Sequence, residues 1–414
     1  MIELGLSRMS QLMRCTPQKW KSIHIAGTNG KGTICAYLSA MLRASGVHCG
    51  RFTSPHLIDR WDGITIDDIA VEKPTFLEAE NLILSRNTVN EIKATEFEIL
   101  TATAFEIFSQ KKIEIGVVEV GLGGRLDSTN IIKKKAVTVI SKIGLDHQSW
   151  LGNSIEEIAL EKAGIMRAGV PCVLDRSNSV QVRNVIEDYA QKVGTHVILS
   201  STDSPLFKEL AHLELEPHQI ENLSCAYTAF RLGYSSPDPP IDRLLPAIKN
   251  VYWPGRLQTI NIRSVSERQE DVLLDGAHNQ QSAKVLASYV NRRLRHKGYP
   301  VTWVIAATQG KDAQSILQSL LQSGDRIGAV KFFPVNRMPW IEPMEPEELL
   351  HLAHLRGISA SNSFNAGSDL ASVLRWAVAI SNNGPIVITG SLYLVSDILR
   401  LLRDAELPGK TREK

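Results

Sequence analysis

The stretch Lys21-Ser22-Ile23-His24-Ile25-Ala26-Gly27-Thr28-Asn29-Gly30-Lys31-Gly32-Thr33 decides how this chain is read. It opens on a β-branched run, passes through three glycines with a lysine among them, and ends in a threonine. Ile34, Tyr37, Leu38, Met41 and Leu42 then recur at helical spacing. The order is strand, glycine turn, helix. Glycines let backbone N–H groups turn inward toward a phosphate, and the start of the helix adds the positive end of its dipole. Lys31 supplies a point charge for outer phosphates, and the Thr33 hydroxyl is placed to meet a magnesium ion. The strict phosphate-loop pattern has Ser or Thr directly after the lysine; here Gly32 intervenes. A plain glycine-rich turn is the alternative, and the flanking strand and helix favour the nucleotide reading.

Outward from this stretch, 414 residues leave room for two domains. A net charge of +2 points to neither nucleic acid nor an anionic membrane as partner. Cys15, Cys35, Cys49, Cys172 and Cys225 are scattered without C-x-x-C spacing. That pattern reads as free thiols in a reducing compartment, not as disulfides or a zinc site. No stretch has the apolar length of a membrane span, and no signal core opens the sequence. The expected location is the cytoplasm; Arg8 and Arg14 leave a mitochondrial address as the weaker reading.

Residues 47–52 predict a strand that ends at Thr53-Ser54-Pro55-His56-Leu57. Pro55 stops regular pairing, so Ser54 lies where a parallel strand gives way to a loop, the edge where ligands collect. It reads as a magnesium or phosphate contact, or as a turn-forming Ser-Pro. Helices are expected over 2–14, 75–86 and 95–110, the last capped by Thr95 with Glu96 and Glu98 in its first turn. Residues 113–120 form a near-continuous apolar run, a buried central strand. Glu119, close to its end, needs a partner: a nucleotide-bound magnesium ion, or Arg125 in the loop that follows. Residues 136–143 form another strand running into Gly144-Leu145-Asp146-His147. His147 is a candidate metal ligand or acid–base group, or a surface-loop histidine. A helix over 154–167 opens on a Ser154/Glu157 capping box and carries Lys162, which on its own reads as a solvated lysine. A strand follows at 170–174. Residues 200–220 resist placement, a helix covers 221–232, and 235–240 read as a surface turn.

Trp253-Pro254-Gly255-Arg256 interrupts the pattern and marks the boundary between domains at 1–252 and 257–414. Beyond it the alternation restarts. A strand at 271–274 runs into Asp275-Gly276-Ala277-His278-Asn279, with a helix at 281–295. Strands follow at 301–306, 327–333 and 386–389, with helices at 346–355 and 367–382. This predicts a second, smaller parallel sheet.

Seven segments, in order, resemble the folylpolyglutamate synthase / dihydrofolate synthase family, relatives of the Mur ligases. They are HIAGTNGKGT (24–33), FTSPHL (52–57), VEVGLGGRLDSTN (118–130), LDHQSWLGNSIEEIALEKAGI (145–165), WPGR (253–256), DGAHN (275–279) and TGSLYLV (389–395). IELGLSR (2–8), TEFEILTATAF (95–105) and Met338-Pro339-Trp340-Ile341 are similar to the fungal, single-activity dihydrofolate synthases. Asp62-Gly63-Ile64 stands where many bacterial and bifunctional members carry Glu-Arg-Ile. The resemblance implies an α/β fold, with an N-terminal P-loop NTPase-like three-layer domain, a smaller C-terminal Rossmann-like domain, and an active site in the cleft between them. It implies ligation of L-glutamate to 7,8-dihydropteroate with ATP, through an acyl phosphate, giving 7,8-dihydrofolate, ADP and phosphate. The nearest alternative is a folylpolyglutamate synthase, or a bifunctional enzyme that also extends tetrahydrofolate. A Mur-type ligase for another carboxylate and a non-catalytic nucleotide-binding module are more distant ones.

Carried onto this sequence, the resemblance gives Lys31, Glu119, His147, Lys162 and Arg256 as the catalytic set. Thr28, Asn29, Gly30, Lys31, Gly32, Thr33, Asn222, Arg256 and Asp275 would contact ATP. Thr33, Ser54 and Glu119 would surround one magnesium ion; Glu119, His147 and a carbamylated Lys162 would serve a second. Phe97, Glu98, Leu126 and Asp127 would meet dihydropteroate. His278 is either a site residue or a structural one. The partners implied are small molecules alone, and the expected state is a monomer.

Overall fold

The computed structural model of the chain describes residues 4–234, 239–295 and 298–406. The surface turn expected over 235–240 falls mostly outside them, as does the start of the helix expected at 2–14, whose described part is Ser7–Leu12. Internal contacts divide the chain into two units, Met1–Tyr252 and Trp253–Lys414.

The first unit carries eight strands: β1 (Lys21–Ala26), β2 (Cys49–Phe52), β3 (Ile64–Ile66), β4 (Ile69–Ala70), β5 (Ile115–Glu119), β6 (Lys135–Ile140), β7 (Cys172–Leu174) and β8 (Val197–Leu199). They form one sheet in the order β4-β3-β2-β5-β1-β6-β7-β8. Neighbours from β2 to β8 are parallel, and β3 and β4 add an antiparallel edge. The pleat sends alternate residues to opposite faces. Ile23, Ile25, Val117, Val137 and Val139 pack on one face with Ile34, Leu38 and Leu42 of helix Lys31–Ala44 and Phe230 of helix Pro217–Gly233. On the other face Phe52 and Val118 meet Phe105 and Phe108 of helix Glu96–Gln110. Ile140 and Leu174 meet Ile158 and Ile186 there as well. The result is a helix–sheet–helix sandwich. In register, Ile25 pairs with Glu119, Ala26 with Ile140 and Phe52 with Val118. The loops after β1, β2, β5 and β6 therefore leave from one edge, where a parallel sheet gathers its ligands.

The second unit is a six-stranded sheet of β9 (Gln258–Ile260), β10 (Val272–Leu274), β11 (Thr302–Ile305), β12 (Arg326–Ala329), β13 (Ser363–Asn365) and β14 (Ile386–Thr389). Its order is β13-β12-β11-β14-β10-β9, with β9 alone antiparallel to its neighbour. Leu273, Trp303, Ile305 and Val387 pack against Leu286, Val290 and Leu317. The strand expected over 327–333 stops at Ala329. By residue 333 the chain has left the ladder, and the Phe333 N–H donates to Asp397 Oδ2 at 2.7 Å instead. Helix Pro217–Gly233 begins before the expected 221, because Pro217 fits the first turn and Glu216 with Gln219 closes it as a capping box.

Candidate active site

The loop between β1 and helix Lys31–Ala44 is built so that only glycine fits at two points. At Gly27 an added Cβ would lie 1.8 Å from Ser141 Oγ. At Gly30, with φ +90°, it would lie 2.2 Å from Asn222 Oδ1. The Thr28 and Asn29 amides donate to the Lys142 carbonyl at 2.9 and 3.1 Å. Ser141 Oγ donates to the Asn29 carbonyl at 2.7 Å. The loop is thus pinned to the end of β6 before any ligand arrives. The Ile34 amide donates back to the Gly30 carbonyl, so the amides of Lys31, Gly32 and Thr33 are those a helix start leaves for an anion.

Glu119 ends β5 and is 5% exposed. Its Oε1 is 3.6 Å from Lys31 Nζ, and its Oε2 accepts the Ser54 N–H at 3.3 Å. Lys31 Nζ also donates to the Thr28 carbonyl at 3.3 Å. One buried carboxylate therefore joins the loops that follow β1 and β2. The alternative of an Arg125 partner gives way: Arg125 Nη2 pairs with Glu161 at 2.8 Å.

Lys162 departs furthest from its own sequence reading. It is 5% exposed, not solvated, and its Nζ donates to the Gly27 carbonyl at 2.8 Å. Burial lowers its pKa to about 7; nearby Lys31 pushes the same way, while Asp146 and Asp127 oppose. The end of its helix, Ile155–Ala163, is pressed onto the loop after β5: a Cβ at Gly124 would lie 2.9 Å from the carbonyls of Glu161 and Lys162. His147 caps the short helix Gln148–Leu151 with φ +53°. Its side chain is half exposed, with Nε2 3.9 Å from Asp146 Oδ1.

The four residues carried over for dihydropteroate divide into two kinds. Asp127 is buried, and its carboxylate accepts the amides of Leu122 (2.8 Å) and Thr129 (3.0 Å) and the Thr129 hydroxyl. Burial still raises its carboxyl above the ordinary range. Glu98 Oε2 accepts the Thr95 amide at 2.7 Å and Arg8 Nε at 2.8 Å. Both carboxylates shape the scaffold. Phe97 and Leu126 keep partly exposed side chains. The Phe97 ring stacks on Phe52 at 6.3 Å and touches the loop after β5, where a Cβ at Gly121 would lie 2.3 Å from it.

In the second unit, Asp275 is buried and accepts the amides of Leu257 (2.8 Å) and Ala277 (2.9 Å). Burial raises its carboxyl above the ordinary range, and the charge of Arg256 opposes this. Arg256 Nη1 donates to the Gly255 carbonyl at 3.0 Å, and His278 Nδ1 to the Gly276 carbonyl at 2.8 Å. The His278 bond is the local, turn-forming kind.

Among the described residues no three His, Cys, Asp or Glu side chains converge as a metal set. The donors at the first unit's sheet edge are the hydroxyls of Thr33 and Ser54 with the buried carboxylate of Glu119. Such an oxygen set suits magnesium, which keeps waters and takes its remaining ligands from phosphates.

Fold and loop together define a phosphate-loop α/β enzyme with a second parallel α/β unit. The chain belongs to the dihydrofolate synthase / folylpolyglutamate synthase family. Residues 258–401 match the family described as "Dihydrofolate synthetase, C-terminal domain". The chain is 36% identical over 420 residues to the probable dihydrofolate synthetase of Schizosaccharomyces pombe, covering 97% of this chain and 99% of the relative. It is 40% identical over 430 residues to the dihydrofolate synthetase of Saccharomyces cerevisiae, covering 97% and 98%. The structure of Mycobacterium tuberculosis folylpolyglutamate synthase complexed with ADP and AMPPCP matches with a TM-score of 0.83 at 26% identity, over 98% of this chain and 96% of that one.

Proposed function

We propose that this chain is an ATP-dependent ligase joining L-glutamate to 7,8-dihydropteroate, giving 7,8-dihydrofolate, ADP and phosphate. The observation that carries the reading is Glu119. A buried carboxylate at a strand end, 3.6 Å from the phosphate-loop lysine and bonded to the Ser54 amide, sets a charged pair at the sheet edge where a nucleotide's phosphates and their metal ion would arrive. The full-length likeness to two fungal dihydrofolate synthetases supports this choice of carboxylate.

A carboxylate is a poor electrophile. Its oxygen attacks the γ-phosphorus, ADP leaves, and the glutamate amine displaces phosphate from the resulting acyl phosphate. Negative charge gathers in the first step, so cations and N–H donors dominate catalysis. Lys31 and the amides of Gly30–Thr33 hold phosphates, with Thr28 and Asn29 fixing the loop and Asn222 standing over it. Thr33, Ser54 and Glu119 are the residues that would hold a magnesium ion, which would neutralise phosphate charge. His147 and a carbamylated Lys162 would serve a second. At a pKa of about 7 much of the Lys162 amine is neutral, the form that captures carbon dioxide. Phe97 and Leu126 present apolar surface to the pteroate, in a frame set by Glu98 and Asp127. Arg256 and Asp275 would be further ATP contacts. The reading carries with it a cytoplasmic monomer acting on small molecules. No helix among the described residues is long and apolar enough to cross a membrane.

Dihydropteroate labelled with oxygen-18 in its carboxylate tests both substrate and route. Turnover should move one labelled oxygen into inorganic phosphate; unlabelled phosphate from an active enzyme would rule the route out. Lys162→Ala should be inactive and partly rescued by short-chain carboxylates, and a fully active Lys162→Ala enzyme would contradict the carbamate.

A further inference from the structure

The loop over residues 53–63, between β2 and β3, is fastened at both ends and in the middle by contacts its sequence does not announce. At its root the Thr53 amide donates to the Gly63 carbonyl at 2.9 Å. A Cβ at Gly63 would lie 2.7 Å from the Thr53 carbonyl, so no side chain fits there. In its interior the Asp62 carboxylate accepts three amides, from Leu57 (3.0 Å), Ile58 (2.6 Å) and Asp59 (2.9 Å). Three amides on one carboxylate hold such a loop in a single shape.

Arg60 then ties this rigid loop sideways. Its Nη1 is 2.5 Å from Glu80 Oε1 on helix Lys73–Val89, and its Nη2 is 3.6 Å from Glu96 Oε2. The guanidinium also lies 5.5 Å from the centroid of Phe76. Glu96 is the first residue of the helix whose second residue is Phe97. At the loop's other end, the Ser54 amide is bonded to Glu119.

We infer that Arg60 is a positioning residue: through Glu96 it sets the distance between the Phe97 wall and the Ser54–Glu119 phosphate edge. The inference rests on the folate-ligase reading above, in which one substrate must span from Phe97 to the γ-phosphate. A carboxylate held on the wrong arc cannot attack phosphorus, and a misplacement of about 1 Å costs roughly a hundredfold in rate. Arginine suits the task because its rigid planar fork fixes the relative placement of two carboxylates, which a compact ammonium on a flexible stem does not.

The cleanest variant is Glu96→Gln, because Arg60→Ala would also remove the ion pair to the buried Glu80 carboxylate and risk the fold. Glu96→Gln should raise the KM of the pteroate substrate about tenfold and lower kcat, with the KM of ATP within about twofold of wild type. Arg60→Lys should do the same, and Arg60→Lys/Glu96→Gln should be no worse than Arg60→Lys alone. Equal effects on the KM of ATP, or additive losses in the double variant, would overturn the inference. The kinetics use whichever pteroate or folate carboxylate the wild type turns over, so a wrong substrate assignment shows in the wild type alone. Amide exchange needs no substrate and reads the same link. Glu96→Gln should speed exchange in the first turns of helix Glu96–Gln110 and leave the amides of Lys31–Thr33 unchanged. Unaltered exchange there would also overturn it.

Discussion

The Nζ of Lys162 lies 2.8 Å from the carbonyl oxygen of Gly27, so a buried amine on helix Ile155–Ala163 grips the first glycine of the phosphate loop. Its pKa falls from 10.5 to about 7 on folding, chiefly through burial. Between those values the unfolded chain binds a proton that the folded chain does not, so stability rises with pH over that window. Wild type should gain stability relative to Lys162→Met between pH 7 and pH 9.5, measured by urea unfolding. Parallel pH profiles for the two proteins would contradict this.

Glu119 touches both Lys31 and the Ser54 amide. Glu119→Gln keeps an oxygen for that amide and removes the charge. Turnover should drop by about a hundredfold or more, with only a small change in melting temperature, because charge at the transition state is what the residue supplies. A folded Glu119→Gln enzyme with near wild-type turnover would remove Glu119 from the mechanism.

Arg256 Nη1 donates to its own neighbour, the Gly255 carbonyl, at 3.0 Å. Its charge favours the buried Asp275 carboxylate, which keeps the amides of Leu257 and Ala277 when that charge is removed. Arg256→Ala should therefore lower ligase turnover far more than it lowers unfolding free energy. Unchanged turnover in the well-folded variant would take Arg256 out of the ATP contacts.

His48 sits between two acceptors: Nδ1 is 2.7 Å from Asp67 Oδ2, and Nε2 is 2.9 Å from the Lys111 carbonyl. Both ring nitrogens must donate, which requires the imidazolium. Its pKa is raised by these bonds and by the charges of Asp67 and Glu114, against a desolvation that lowers it. The contribution to stability is complete below about pH 6.5 and is lost as pH rises through the higher folded value. An NMR titration should place His48 above 6.5; a value at or below 6.5 would contradict the geometry.

Much of the fold was legible because the β-branched runs at 21–26, 113–120 and 136–143 end in glycine or polar turns, and helical spacing resumes after the first and the third. The hairpin of β3 and β4 went unread, since its strands are three and two residues long and its turn uses Asp67 and Asp68 at positive φ in place of glycine. Helix Val180–Val193 and β8 also went unread. At the site, Lys31, Glu119 and Ser54 were visible from their places at strand ends, where a parallel sheet collects polar residues. The burial of Lys162 was not visible, because it arises from a helix end pressed against Gly124, a contact between distant segments. The carboxylates of Glu98 and Asp127 were legible as important but not in what they bind, since an acid beside a turn caps amides as readily as it meets a ligand. Arg60 gave no signal, because its partners lie twenty and thirty-six residues further along the chain.

The measurement that tests the central claim most directly is ATP- and glutamate-dependent product formation from 7,8-dihydropteroate and from a tetrahydrofolate monoglutamate, side by side. The account predicts 7,8-dihydrofolate from the first and no glutamate addition to the second. Addition to both substrates would make the enzyme bifunctional, and addition to tetrahydrofolate alone would place it with the polyglutamate synthases. Turnover of neither, with ATP still bound, would contradict the account.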